Sequence, residues 1–283
     1  DTATPWGNVG KADNRGFDAS LNWTKQLTDD FSMSVRGTFT YIKNKLVYVD
    51  EPDYTYTWQT TAGWPLVSYR WVGYVADGLF KDQEDIDNSP EQNLGSQVMP
   101  GDIKYRDLNG DGKITKEDRT LISDCGTAPK VQYGLGVYLK WKGFDLGMFF
   151  NGSAKRTILQ SPMNPFGADT GSEWGAGERQ LAKYIDQQRW TEANPDPNAK
   201  YPRLGTLYTD VRNNLETSTY WLRDGSFIRF KTLEFGYTFP FCRLYFSADN
   251  LAVWSPFKLW DPELSWNSFP LQRTFNIGLQ FHF

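Results

Sequence analysis

Histidine is almost missing from this chain of 283 residues, since His282 is the only one. This scarcity excludes most Ser-His, Cys-His and poly-histidine metal chemistry within the chain. Cysteine is also rare, and Cys125 and Cys242 have no metal-binding or redox spacing. Long apolar runs are missing too: no stretch approaches the roughly 18 to 20 residues of a membrane-spanning helix. We therefore expect neither a helical membrane protein nor an enzyme of these common types.

Charge and the N-terminal segment exclude further classes. The chain has 30 basic and 34 acidic residues without long runs of one sign, for a net charge of −4. This balance gives no electrostatic case for nucleic-acid binding. Residues 1–17 have no starting Met, basic region or apolar core, so no signal peptide is expected in this sequence.

Aromatic residues are abundant, at 16% of the chain, although the mean hydropathy is −0.59. Many aromatic residues in a chain of low mean hydropathy suggest that the rings lie on one side of otherwise polar strands. From Val131 to Trp141 apolar residues occupy every second position, and the pattern resumes from Phe144 to Phe150 after a Lys142-Gly143 turn. Alternation of period two is typical of a β-strand with one apolar face.

Similar alternation elsewhere predicts about eight strands in all, most of them long. The other regular segments are residues 17–23, 31–41, 233–239, 244–248 and 275–283, and a less regular candidate lies between Val67 and Phe80.

Three features favour a membrane barrel over a soluble sandwich. Aromatic residues lie at the predicted strand ends, as Trp23, Tyr41, Trp141 and Tyr237 do, which suits an interfacial girdle. Short connections alternate with long ones, and the chain closes on a strand that ends in Phe283. The predicted fold is therefore all-β, an antiparallel transmembrane β-barrel. Its short connections are 24–30, 142–143 and 240–243, and its long extracellular loops are about 42–66, 81–130, 152–225 and 250–272.

The segment DLNGDGKITKED, residues 107–118, has the D-x-N-x-D-G-x-I-x-x-x-D arrangement of a calcium loop. A hard cation needs six to eight oxygen ligands, and such a loop supplies most of them. The predicted ligands are the carboxylates of Asp107, Asp111 and Asp118, the amide oxygen of Asn109, the backbone carbonyl of Lys113, and Thr115 directly or through water.

The expected role of this Ca²⁺ is structural, because the ion would order a long loop rich in acidic side chains. The alternative is a surface turn rich in Asp, Asn and Gly that holds no ion. A strand-like segment precedes the loop where an EF-hand has a helix, and Asp118 is shorter than the usual Glu at position 12.

Several segments carry a family resemblance. PGDIKYRDLNGDGKITKEDRTLI (Pro100–Ile122), WLRDGSFIRFKTLEFGYTFP (Trp221–Pro240) and the closing RTFNIGLQFHF resemble the SusC/RagA family of TonB-dependent outer-membrane transporters. NRGFDASLNW (Asn14–Trp23), GYVADGLF (Gly73–Phe80) and YPRL (Tyr201–Leu204) follow the order of the family's C-terminal part. The resemblance covers essentially the whole chain.

This resemblance implies a plug followed by a barrel of about 22 strands, of which residues 1–283 would supply about 8 to 10 C-terminal strands. It also implies a SusD-like surface lipoprotein as partner and import of glycan oligomers or peptides. TonB would deliver the energy through the N-terminal part of the same protein, which would also supply the plug and the remaining barrel. The implied location is the outer membrane of a Gram-negative, Bacteroidota-type cell.

Other functions give different expectations for the loop residues. Tryptophans in or beside the loops could stack on sugars, contact the lipoprotein or pack the loops together; they are Trp58, Trp64, Trp174, Trp190, Trp254, Trp260 and Trp266. A calcium-dependent surface glycan-binding protein is the main alternative, and its release without detergent would distinguish it. A glycosidase would need a carboxylate pair drawn from Glu173, Glu178, Asp261 and Glu263, whose spacing the sequence does not define. A dockerin-like module normally needs two calcium loops.

Overall fold

The structure is a computed structural model and describes residues 7–160, 183–205, 208–264 and 269–281. The strands in these residues are β1 (Gly10–Thr28), β2 (Phe31–Val49), β3 (Trp71–Gly73), β4 (Ala76–Leu79), β5 (Glu91–Gln92), β6 (Ile103–Tyr105), β7 (Lys113–Ile114), β8 (Thr120–Ser123), β9 (Val131–Trp141), β10 (Phe144–Ala154), β11 (Thr157–Leu159), β12 (Leu222–Asp224), β13 (Phe227–Thr238), β14 (Cys242–Trp254) and β15 (Thr274–Phe281).

The helices are short. The α-helices are α1 (Gln83–Asp87) and α2 (Lys183–Asp186), and 3-10 helices span Thr57–Gln59, Val67–Tyr69, Lys116–Asp118, Tyr208–Asp210, Arg212–Leu215 and Thr219–Trp221. No helix in the described part of the chain has the length and hydropathy of a membrane span.

Seven long strands form one sheet in the order β1-β2-β9-β10-β13-β14-β15. The ladders from β2 to β15 are antiparallel. Connections alternate between the short turns 29–30, 142–143 and 239–241 and the long segments 50–130, 155–226 and 255–273. The described residues thus give seven sheet strands where the alternation predicts about eight.

The strands continue further into the long connections than the alternation predicts. β2 continues to Val49, β10 to Ala154 and β14 to Trp254, so the connections begin later than the predicted positions 42, 152 and 250. Backbone pairing needs no apolar alternation, which is required only where one face of the strand lies against apolar surroundings. The pattern therefore ends before the ladder does.

Apolar residues of neighbouring strands form rows on one face of the sheet, here called the apolar face. One row consists of paired neighbours on five strands: Trp141, Phe144, Tyr237, Leu244 and Leu279. The next row continues through Phe235 and Phe246 to Ile277, which is 80% exposed. A sheet face covered by exposed apolar side chains needs an apolar environment.

The opposite face of the sheet, the polar face, carries charged groups and glycines. Arg243 donates to Asp145 and Glu234 at 2.5 Å each, which links β14 to β10 and β13. Gly236 lies beneath this cluster, and a Cβ there would come within 2.8 Å of the Arg243 guanidinium. The glycine therefore leaves room for the arginine side chain, which a Cβ would force to shift.

A bulge interrupts β13. The register shifts between Phe230 and Thr232 against β14 and between Phe149 and Phe150 against β10, so Lys231 lies outside both ladders. A bulge adds one residue and reverses the alternation beyond it. Phe230 therefore lies on the apolar face and Arg229 on the polar face, which explains why the regular pattern begins only at Leu233.

The chain divides into two compact units. The loop unit consists of Asp1–Ala12, Leu46–Asp124 and Leu159–Leu222, and the sheet unit consists of Asp13–Lys45, Cys125–Ile158 and Arg223–Phe283.

The loop unit has its own core and small sheets. Tyr74, Phe80, Ile103, Tyr105 and Trp221 are at most 2% exposed. β3 pairs with β8 and β4 with β6, both antiparallel, and β5 pairs with β7 in parallel. The expectation that residues 67–80 form a strand of the main sheet is therefore wrong. These residues form short strands because their partners lie in the same loop.

Buried side-chain amides complete the backbone hydrogen bonds of β6. The Asn214 Oδ1 atom accepts from the Ile103 N–H at 2.8 Å, and the Gln92 Oε1 atom accepts from the Tyr105 N–H at 2.9 Å. Asn213 accepts from Gln92 through its side chain at 2.6 Å and from the Tyr105 hydroxyl through its carbonyl at 2.8 Å. A satisfied buried network of this kind holds distant segments in one arrangement.

Candidate calcium-binding loop

The candidate loop, residues 107–118, lies in the loop unit directly after β6 and contains β7. Gly110 and Gly112 have φ values of 78° and 81°, a region in which residues with a Cβ atom are strained. These two glycines allow the chain to turn back within five residues. The segment before the loop is a strand, as the sequence suggests, and no EF-hand helix precedes it.

Asp107, at loop position 1, binds the turn that follows it. Its Oδ1 atom accepts from the Gly110 N–H at 2.6 Å, and its Oδ2 atom accepts from the Gly112 N–H at 2.8 Å. The Gly112 N–H is the largest cause that holds the pKa of Asp107 below its ordinary value. The carboxylate is therefore ionised at neutral pH, as a metal ligand must be.

Asp118, at position 12, closes the loop from its other end. The side chain is fully buried, and its two oxygens accept from the Leu108 N–H at 2.8 Å and the Thr115 N–H at 2.7 Å. Thr115 caps the 3-10 helix Lys116–Asp118 through its hydroxyl oxygen, which accepts from Glu117 at 3.2 Å. Positions 1 and 12 are thus drawn into one compact turn.

The middle of the loop carries the remaining predicted ligands. The Asn109 Nδ2 atom donates to Asp111 at 3.2 Å and to Glu117 at 3.1 Å, while its Oδ1 atom accepts from the Asp111 N–H at 3.0 Å. Asp111 also accepts from the Lys113 N–H at 2.8 Å. Glu117 is an acidic neighbour of these groups that the motif does not include.

The types of side chain in this loop suit Ca²⁺, but their arrangement in the structure does not form a metal site. Three carboxylates and one amide within twelve residues match the oxygen ligands that Ca²⁺ prefers. In the described residues, however, no group of three or more His, Cys, Asp or Glu side chains is arranged to hold a metal ion. The oxygens of Asp107 and Asp118 accept backbone N–H groups, although each oxygen has a second lone pair. The calcium site stays a prediction.

The structure separates the loop tryptophans by environment. Trp58 and Trp64 are half-buried, Trp190 is 7% exposed, and Trp254 lies at the end of β14 with 53% exposed. Trp190 packs against Gly101, whose φ of 86° and ring contact leave no room for a Cβ. Trp174 and Trp266 lie outside the described residues. Trp190 is therefore a packing residue, whereas Trp58 and Trp64 are partly exposed and each contacts an arginine guanidinium.

Two of the four carboxylates considered for a glycosidase lie together, and both are bound to one arginine. Glu173 and Glu178 lie outside the described residues. Asp261 accepts two hydrogen bonds from Arg229 at 2.7 and 2.8 Å, and Glu263 accepts from the same guanidinium at 3.0 Å. An arginine that is 2% exposed thus fixes both carboxylates at one end of the sheet unit.

Sequence comparison gives a consistent class of relatives. No family model matches the chain. A TonB-dependent receptor of Formosa agariphila is 27% identical over 98% of this chain and 29% of its own length. The TonB-dependent receptor SusC of Bacteroides thetaiotaomicron is 23% identical over 98% of this chain and 27% of its own. The chain spans less than a third of the length of these relatives.

Solved structures give the same class. The RagAB peptide transporter matches with a TM-score of 0.68 and 20% identity, over 97% of this chain and 30% of the other. The RagAB peptide importer in its open-open state matches with a TM-score of 0.69 and 21% identity, over 98% and 29%. The fold is therefore that of part of an antiparallel transmembrane β-barrel. The resemblance to SusC/RagA TonB-dependent receptors is confirmed.

Proposed function

We propose that this chain forms barrel wall and extracellular loops of an outer-membrane importer that takes up glycan oligomers or peptides with energy from TonB. The observation that carries the proposal is the match to TonB-dependent receptors over 98% of the chain. The apolar face of the sheet supports it, because lipid is the apolar environment that such a face requires.

The rest of the barrel is part of this proposal. β1 and β15 are the outer strands of the sheet, and an unpaired strand edge in lipid costs several kcal/mol for each unsatisfied backbone group. Strands from the N-terminal part of the same protein would pair with these edges. That part would also supply the plug and the segment that contacts TonB.

A SusD-like lipoprotein is the proposed partner at the cell surface. The loop unit supports this because its buried network gives it a defined shape, which the lipoprotein can bind without first ordering the loops. One of the similar structures is the RagAB peptide transporter, and peptide transport is a property of that protein.

The proposed role of Ca²⁺ is to stabilise residues 107–118. Asp107, Asp111 and Asp118 would contribute carboxylate oxygens, Asn109 its amide oxygen, Lys113 its backbone carbonyl and Thr115 an oxygen directly or through a water. A bound cation would offset the repulsion between these carboxylates and Glu117. No switching role is proposed.

Uptake by intact cells tests the proposed function. Cells that express the full-length protein would be given fluorescent oligosaccharides and peptides, with cells lacking its gene and cells lacking TonB as controls. We expect energy-dependent accumulation that is lost in both controls. Equal uptake without TonB would contradict the proposal, and release of the protein from membranes without detergent would favour a surface glycan-binding protein.

A further inference from the structure

The segment of residues 255–264 follows β14 and packs onto the sheet unit; we call it the strap. The Ser255 hydroxyl donates to the Ser226 carbonyl at 2.7 Å, directly before β13, and accepts from the Phe257 N–H at 3.1 Å. Phe257 is 8% exposed, and Pro262 is also buried. The first part of the strap is therefore fixed beside the start of β13.

Two arginines of the sheet unit hold the other part of the strap. Arg229, in β13, donates to Asp261 at 2.7 and 2.8 Å and to Glu263 at 3.0 Å. Arg156, directly after β10, donates to the Pro262 carbonyl. We call the side chains of Arg156, Arg229, Asp261 and Glu263 the arginine clamp. Its two positive and two negative charges balance while the strap is in place.

The strap covers one end of the polar face. Arg229 and Phe227 lie on this face, as does Ser153, the partner of Phe227 in β10, and all three are at most 5% exposed. Glu234 lies on the same face further along β13, and its side chain is 43% exposed. A buried guanidinium needs charged or hydrogen-bonding partners. Asp261 and Glu263 of the strap are those partners.

The covered end is the one from which the long connections 155–226 and 255–273 leave the sheet. In the proposed importer these connections are extracellular and the polar face lines the lumen. A chain segment packed on a sheet face fills about 10 Å of the space in front of it. Held by the clamp, the strap therefore narrows the extracellular mouth of the lumen.

We propose that the strap limits the size of the molecules that enter the lumen, and that Arg229 is the positioning residue that holds it in place. The inference rests on the proposed import function. Exposed ion pairs contribute too little to hold such a segment. Arg229 is 2% exposed, so removal of its partners leaves a charge without water or a counter-ion. Loss of a partner in a buried ion pair shifts an equilibrium by roughly 100- to 1000-fold, here toward a released strap.

Three variants of the full-length protein in intact cells test this role. Asp261→Asn combined with Glu263→Gln neutralises the strap and leaves β13 unchanged. Arg229→Glu combined with Asp261→Arg places the ion pair in reversed polarity and should restore part of the clamp. Lys258→Ala is the matched control, because Lys258 is an exposed residue of the strap outside the clamp.

The position of the strap is measured through a cysteine at Phe257, introduced into each variant and into the wild type. A membrane-impermeant maleimide labels it, and the labelling of the parent protein with its native cysteines is subtracted. We expect labelling about tenfold faster or more in the neutralised variant, since a released strap exposes this buried position. The reversed pair should return the rate toward that of the wild type.

The size limit is measured as uptake of fluorescent peptides and oligosaccharides of increasing length, relative to the amount of folded protein. In the neutralised variant we expect uptake of the longest molecules to rise about tenfold relative to the shortest. The wild type and Lys258→Ala should share one limit, and the reversed pair should move back toward it.

Unchanged labelling in the neutralised variant would overturn the clamp. Faster labelling with an unchanged dependence on length, including a uniform loss of uptake, would overturn the size limit. A reversed pair that behaves as the neutralised variant does would overturn the role of Arg229. Failure of the import proposal looks different: the wild type would then show no TonB-dependent uptake at any length, and the size limit would fall with it.

Discussion

A lysine at position 277 of the full-length protein should destabilise the barrel far more than a lysine at the neighbouring position 276. Ile277 lies on the apolar face of β15 and is 80% exposed in this chain. Asn276 lies on the opposite face, where its side chain contacts Ser247 at 3.5 Å. Because the two positions share the strand and its backbone pairing, they differ only in the face of the sheet.

The size of the destabilisation depends on how deep Ile277 lies in the membrane. β15 has 8 residues, which at about 3.4 Å each and a tilt of about 40° cover roughly 20 Å of the membrane normal. Ile277 is near the centre of this span. A lysine facing lipid at the midplane costs about 2–4 kcal/mol, whereas a lysine facing the polar lumen stays hydrated and avoids this cost.

The assay is the amount of heat-modifiable, folded protein in the outer membrane, measured for Ile277→Lys, Asn276→Lys and the wild type. A free-energy difference of about 2–4 kcal/mol changes a folding equilibrium by roughly 30- to 1000-fold. Ile277→Lys should therefore be strongly depleted and Asn276→Lys nearly normal. Equal levels of the two variants, or a greater loss for Asn276→Lys, would refute the assignment of the two faces.

Three further outcomes are expected. Gly278→Ala should lower stability by about 1–3 kcal/mol in thermal unfolding, because its Cβ would collide with the Tyr245 ring; Gly278→Ala combined with Tyr245→Ala should recover part of the loss. Calorimetry with Ca²⁺ should give binding heat for the wild-type protein and none for Asp107→Ala with Asp111→Ala, and equal heats would contradict the calcium proposal. Burial above all raises the pKa of Tyr74 to about 12, from an ordinary 10.0. The resulting stability is complete below pH 10 and is lost as pH rises through 12. Tyrosinate absorbance should show a late-titrating group that Tyr74→Phe removes, and identical titration curves would exclude it.

Much of the sheet could be predicted because its strands each carry a local signal. A residue that must face apolar surroundings recurs at every second position, and two-residue turns such as Lys142-Gly143 separate neighbouring strands. The predicted strand ends and alternation were wrong where alternate residues need not face apolar surroundings. The ends of β2, β10 and β14 extend without alternation, and the bulge at Lys231 reverses the pattern within β13.

The loop unit could not be predicted in this way, because its order depends on contacts between distant segments. Gln92 bonds to Asn213, which is 121 positions away, and Trp58 bonds to the carbonyl of Lys116, which is 58 positions away. The calcium motif is visible in the sequence since its ligands lie within twelve residues. The cation–π contact between Arg119 and the Trp58 ring has no such local signal.

By itself, the sequence determined the all-β class, the direction of the apolar face and the family resemblance, since all three depend on local patterns of residue type. Only the tertiary structure decided which loop aromatics are packed inside, as Trp190 is, and which are held at the surface, as Tyr54 is. The physical reason is that burial depends on neighbours brought together by folding, and residue type alone carries no information about them.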